Sequence, residues 1–151
     1  MFSPSEKAWI RYDKEKIVNK VQQAEAILRG TLLHELAASC IKLKVTLGKE
    51  NGIISEYVQD CIQCGCETER QVYYSEYIYG TADAIRFDVD ARLLYIFDLK
   101  TGEKAVPIDQ VLIYAAIWCL EHGISPEDIN YDLRIYSNTR PIRLATEESG
   151  P

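Results

Sequence analysis

The sequence predicts an α/β (α+β) domain in which a central mixed β-sheet is flanked by helices. Three observations predict it. Apolar residues recur at helical spacing over the first third of the chain. Tyr, Val and Ile crowd the middle third, as they do in strands. Finally, Arg92 to Lys100 is a nearly unbroken apolar run, followed by a helical pattern and two more strand-like segments. A strand apolar on both sides is covered on both sides, so that run reads as the central strand, with helices above and below the sheet.

Each element follows in order. Asp13 is placed to cap a helix carrying Ile17, Val21, Ala24 and Leu28, with a stop near Gly30. Thr31 then caps a second helix, with Leu33, Leu36, Ala37, Cys40 and Lys44 at helical spacing and Gly48 as its stop. After a polar turn over 48–52, a short third helix runs from Ser55 to about Gln63 and ends at Gly65. Gln71 to Tyr79 and Thr81 to Phe87 read as strands separated by Gly80, and Arg92 to Lys100 as the third. Pro107 opens a helix to Glu121, with Ile108, Val111, Leu112, Ala115 and Cys119 on one stripe and Gly123 at its end. Tyr131 to Ser137 and Ile142 to Thr146 complete the sheet, and the tail from Glu147 is expected to fray.

No repeat, low-complexity tract or linker divides the 151 residues, so residues 1–151 read as a single domain. With 47% hydrophobic and 26% charged residues, disorder throughout is excluded. No apolar run approaches the ~18 residues of a membrane span. Met1 to Lys7 lacks a basic-then-apolar leader, so a cytoplasmic location is expected. A net charge of −6 and a pI near 5.0 exclude a protein that coats nucleic acid by charge alone. They do not exclude a DNA enzyme that supplies a local field with bound metal ions. Five cysteines favour reduced thiols or a metal site over a disulfide framework. Cys61, Cys64 and Cys66 offer three zinc ligands without an evident fourth and read as structural thiols, while Cys40 and Cys119 fall on apolar helix faces.

The chemistry concentrates between Gly80 and Lys100. If Asp90-Ala91 form a two-residue hairpin loop, Phe87 faces Leu94, Ile85 faces Ile96 and Asp83 faces Asp98. Two carboxylates in that arrangement repel unless a cation bridges them, and a hard divalent ion takes such ligands. Lys100, two residues after Asp98, projects from the same face of the same strand. There it can stabilise charge on a reacting phosphate or orient a water. His34 on the second helix, and Gln110 and Tyr114 four apart on the last, read by spacing alone as packing or polar-edge residues.

Together these residues resemble the PD-(D/E)XK nuclease superfamily, and within it the RecB-like branch. The matching segments are Gly30-Thr31-Leu32-Leu33-His34, Gly80-Thr81-Ala82-Asp83, Asp98-Leu99-Lys100 and Gln110-Val111-Leu112-Ile113-Tyr114. They are similar to that branch's G-x-x-x-H, G-x-x-D, (D/E)-x-K and Q-x-x-x-Y motifs, in the same order. Phage and prophage members also share the opening Ser3-Pro4-Ser5 and Trp9 and the Gly-Thr-Ala-Asp-Ala and Asp-Leu-Lys-x-Gly blocks. The resemblance implies a restriction-endonuclease-like αβββαβ core and a Mg²⁺- or Mn²⁺-dependent deoxyribonuclease, an exonuclease acting in phage DNA recombination, repair or processing. It implies that His34, Asp83, Asp98 and the Leu99 backbone carbonyl hold one or two ions and that Lys100 assists the attacking water. Gln110 and Tyr114 would contact DNA or brace the site, with Glu69, or else Glu76, as the upstream acid of some members. The cysteine spacing does not match the iron–sulfur members of the branch. With no large substrate-binding domain, self-association or a recombination or replication partner is expected beside DNA. Two alternatives remain: a catalytically inactive nuclease-fold protein that binds DNA or assembles, and a zinc-binding module built on Cys61, Cys64 and Cys66.

Overall fold

The structure, a computed structural model, describes residues 14–102 and 107–146. Helices α1 (Lys14–Leu43) and α2 (Ile53–Cys64) precede strands β1 (Glu67–Ser75), β2 (Ile78–Asp88) and β3 (Leu93–Lys100). Helix α3 (Asp109–His122) leads to β4 (Asn130–Ser137) and β5 (Ile142–Ala145). The five strands form one sheet in sequence order, antiparallel throughout except for the parallel pair β3–β4. A parallel neighbour cannot be reached by a tight turn, and α3 makes that crossover. The class is the mixed α+β one that the alternation predicts. None of the described helices is long and apolar enough to cross a membrane.

Both sides of the sheet are covered, by different helices. Leu94 and Ile96 of β3 join Val72, Ile85, Leu133 and Ile135 in a core against Val111, Ile117, Trp118 and Cys119 of α3. Phe97 and Leu99, of opposite parity on the same strand, pack with Ala84 and Tyr136 against Ala37, Cys40 and Ile41 of α1 and Tyr57, Val58 and Cys61 of α2. Strand β3 is therefore apolar on both faces because each face has its own core. Asp98 and Lys100 share the parity of Leu94 and Ile96.

Several elements differ from their sequence reading. The two helices expected on either side of Gly30 are one 30-residue helix. Glycine costs about 1 kcal/mol inside a helix but does not end it, and Gly30 here gives room to Thr101, whose Oγ1 would lie 3.0 Å from an added Cβ. Helix α1 stops at Leu43, before Gly48, with Lys44 at φ 57° and Val45 N–H donating to Cys40 O. The strand expected over 71–79 is a hairpin turning at Glu76-Tyr77, residues without the Gly, Asn or Asp that normally betray a turn. The expected two-residue loop at Asp90-Ala91 is a four-residue loop, 89–92, with the same register on either side. Leu112 is 39% exposed, and Trp118 and Ile117 take the core positions on α3. The predicted cap Asp13 lies outside the described residues.

Candidate functional site

The β2–β3 ladder pairs Phe87 with Leu94 and Ile85 with Ile96 and ends at Ala84 with Phe97. The next position sets Asp83 opposite Asp98, as the alternation requires, but the strands part there. In place of a backbone carbonyl, Asp83 Oδ2 accepts the Leu99 N–H at 2.9 Å. The Leu99 carbonyl in turn accepts a hydrogen bond from His34 Nε2 at 2.7 Å. On the far side of Asp83, the β1–β2 register brings Glu69 opposite it, and Glu69 has a left-handed φ of 54°. Glu69, Asp83 and Asp98 thus form a row of acids across three strands, with α1 lowering His34 onto its middle.

His34 bridges two carbonyls, Nδ1 to Gly30 O at 2.8 Å and Nε2 to Leu99 O at 2.7 Å, and Nε2 also lies 3.5 Å from Asp83 Oδ2. Carbonyl oxygens only accept, so both ring nitrogens donate and the ring is an imidazolium. The hydrogen bond with Asp83 is the largest cause, and it raises the His34 pKa to about 9 although burial opposes it. At Asp83 burial works against the charge, yet His34 and the Leu99 N–H outweigh it and hold the carboxyl below its ordinary value. Asp98 goes the other way. Its side chain is 3% exposed, and burial, followed by the charge of Asp83, pushes its pKa up to about 7. Lys100 Nζ forms an ion pair with Asp98 Oδ2 at 3.1 Å, which partly offsets the burial of that oxygen.

A buried carboxylate paired only with a lysine, a second carboxylate, an imidazole and a free face of a carbonyl suit Mg²⁺ or Mn²⁺. Among the described residues no three His, Cys, Asp or Glu side chains are arranged as ready-made metal ligands. The protons on His34 and Asp98 occupy the positions that a cation would contest. Beside them opens a groove of about 550 Å³, lined by Ile27, Gly30, Thr31, His34, Glu35, Glu69, Thr101 and Gly102 among others.

The structure therefore brings His34, Asp83, Asp98, Lys100 and the Leu99 carbonyl to one end of the sheet, with Glu69 across the groove. Gln110 and Tyr114 are held to each other, Gln110 Nε2 donating to Tyr114 Oη at 2.9 Å. The Tyr114 ring packs on Gly80, where an added Cβ would come within 2.5 Å of it. This pair braces the β2 backbone three residues before Asp83. Glu76 sits in the β1–β2 turn, away from the acid row. Thr101 in the groove, and Lys42, 4.0 Å from Glu69, carry no sequence signal of their own and join the site through the fold. Cys61 and Cys66 are buried and Cys64 is half-buried, all as free thiols. Burial raises the Cys61 pKa, so that thiol is a poor nucleophile. Comparison with protein families, with curated proteins and with solved structures finds no match to this chain.

Proposed function

We propose that the chain is a metal-dependent deoxyribonuclease that hydrolyses phosphodiester bonds, in keeping with its resemblance to the RecB-like branch of the PD-(D/E)XK nucleases. One observation carries the reading: the buried Asp98 carboxylate, with Lys100 3.1 Å from its Oδ2 as an ion pair, adjoins a second carboxylate at a parted strand end. Two buried carboxylates side by side cost stability even with one lysine between them and water, and such costs cluster where they serve a site. Asp83, Asp98, His34 and the Leu99 carbonyl are the residues that would hold Mg²⁺ or Mn²⁺. A bound divalent cation supplies Lewis-acid activation of water and offsets charge on the phosphate.

The chain's own groups do the rest. Asp83 is fixed by the Leu99 N–H and by His34, so its carboxylate is oriented before substrate arrives. Lys100, its ammonium beside Asp98, donates a hydrogen bond to a phosphate oxygen as negative charge grows there. Gln110 and Tyr114 keep β2 in place behind Asp83. DNA in the cytoplasm is the partner, and cleavage proceeds from ends. Incubation of the pure protein with linear and circular, single- and double-stranded DNA, in Mg²⁺, Mn²⁺ or EDTA, tests this directly. Loss of linear DNA alone, dependent on the ion, is expected. Cleavage undiminished in EDTA, or none under any condition, overturns the reading.

A further inference from the structure

Three cross-strand pairs share one face of the β1–β2 ribbon: Tyr73 with Tyr79, Gln71 with Thr81, and in continuing register Glu69 with Asp83. The intervening pair turns away, Val72 into the core under α3 and Gly80 against Tyr114. Glu121 of α3 accepts the Tyr73 N–H at 3.4 Å, and the side chains of the first two pairs stay exposed. Gln71 and Thr81 are exposed, and Tyr73 and Tyr79 are 46% and 59% exposed. The two tyrosine rings lie 6.5 Å apart between centroids with their planes 31° apart, so the ribbon presents open aromatic faces. Four residues of strand, ~14 Å, separate them from the acid row.

We propose that this face is a track for a single strand of DNA, whose bases stack on Tyr73 and Tyr79 and whose backbone is thereby led to Asp83 and Asp98. The inference rests on the nuclease reading and adds to it the form of the substrate. A duplex hides its base faces and presents phosphates, which a chain of net charge −6 is poorly equipped to hold. Unpaired bases offer π-faces to tyrosines, and stacking gives affinity without a basic surface. Between the rings and the acids, Gln71 and Thr81 are neutral hydrogen-bonding groups that do not repel a passing phosphate. The occupant is thus continuous with the site it feeds.

The test uses the whole chain with Ca²⁺ in place of Mg²⁺, fluorescein-labelled (dT)12 and a 12-base-pair duplex, read by anisotropy with a gel to verify intact strands. Single strands should bind tighter than the duplex. The double variant Tyr73→Ala/Tyr79→Ala should bind (dT)12 weaker by on the order of tenfold or more, while Tyr73→Phe/Tyr79→Phe binds as the unaltered protein does. Both rings are exposed, and matching melting curves would show that the variants remain folded. Equal affinity in the alanine variant, or a preference for duplex, overturns the track. So does a changed sedimentation mass with unchanged DNA binding, which would make this face a contact between copies. If the unaltered protein cleaves DNA and the alanine variant binds and cleaves equally well, the track falls and the nuclease reading stands. If no DNA is cleaved but (dT)12 binding depends on the rings, the track stands and the nuclease reading falls.

Discussion

Asp98 and Asp132 are both buried aspartates, and their neighbours send them in opposite directions. Asp98 faces Asp83 and holds its proton to about pH 7. Asp132 on β4 accepts paired hydrogen bonds from Arg134 (Nη2 at 2.8 Å) and from Arg143 (Nη2 at 2.9 Å). Burial opposes its charge, but the two guanidinium groups prevail and hold it below the ordinary carboxylate value. A folded-state pKa below the unfolded ~3.9 contributes stability that is complete above that value. That contribution is lost as pH falls through the folded pKa. Asp132→Asn should therefore cost about 3 kcal/mol at neutral pH and flatten the acid limb of a melting-temperature profile below pH 4. Parallel profiles for the two proteins would contradict this. At the candidate site, Asp83→Ala or Asp98→Ala should lower cleavage by on the order of 10³-fold or more with an unchanged circular dichroism spectrum. Retained Mg²⁺-dependent activity in either would remove the assignment.

At the scale of elements, Gly80 is where packing decides more than propensity. An added Cβ would meet Tyr114 Cε1 at 2.5 Å, and Gln110 pins the Tyr114 hydroxyl. Gly80→Ala should cost about 1–3 kcal/mol, and much of the cost should vanish in a Tyr114→Ala background, a coupling that a double-mutant cycle in urea measures. Additive effects would mean that the strand itself resists the change. The β2–β3 register was legible in the sequence, because any slip would bury Arg86 and expose Phe87. The row of Asp83 and Asp98 followed from it. The parting of the strands there was not legible, since it depends on Asp83 taking the Leu99 N–H. Gly30 misled in the other direction: its signal is a stop, while its use is close approach to Thr101. The link of Asp60 on α2 to Arg134 and Tyr136 on β4 spans more than 70 residues, too far apart to leave a local pattern. Its one trace was Asp132-x-Arg134, charges of one parity inside an apolar strand.

Among the described residues two cores lock β3 from both sides, and at the Asp98–Lys100 end of the sheet neither core closes over the groove. Phe97, Leu99, Leu94 and Ile96 are fully buried, while Asp98 among them is a buried acid paired with Lys100 at the strand's end, beside the open groove. Lys100 and His34 offset only part of the cost of the two adjacent carboxylates, since Asp98 keeps a raised pKa, and a cation that offsets the rest stabilises the native chain. A cation that binds the native state alone shifts unfolding by mass action, by ~2.7 kcal/mol at a hundredfold excess over its dissociation constant. For a domain of this size that corresponds to about 5–10 °C in melting temperature. Mn²⁺ should do this better than Mg²⁺, because an imidazole nitrogen is among the ligands. EDTA should abolish the shift. Asp98→Ala should lose it while melting no lower than the unaltered protein in EDTA, since removing one carboxylate also removes its repulsion from Asp83. His34→Ala should keep a reduced shift with Mn²⁺ and nearly all of it with Mg²⁺. A scan of melting temperature against ion concentration reads all of these outcomes, and an unaltered protein whose melting ignores both ions would mean that the acidic end holds its protons for some other purpose.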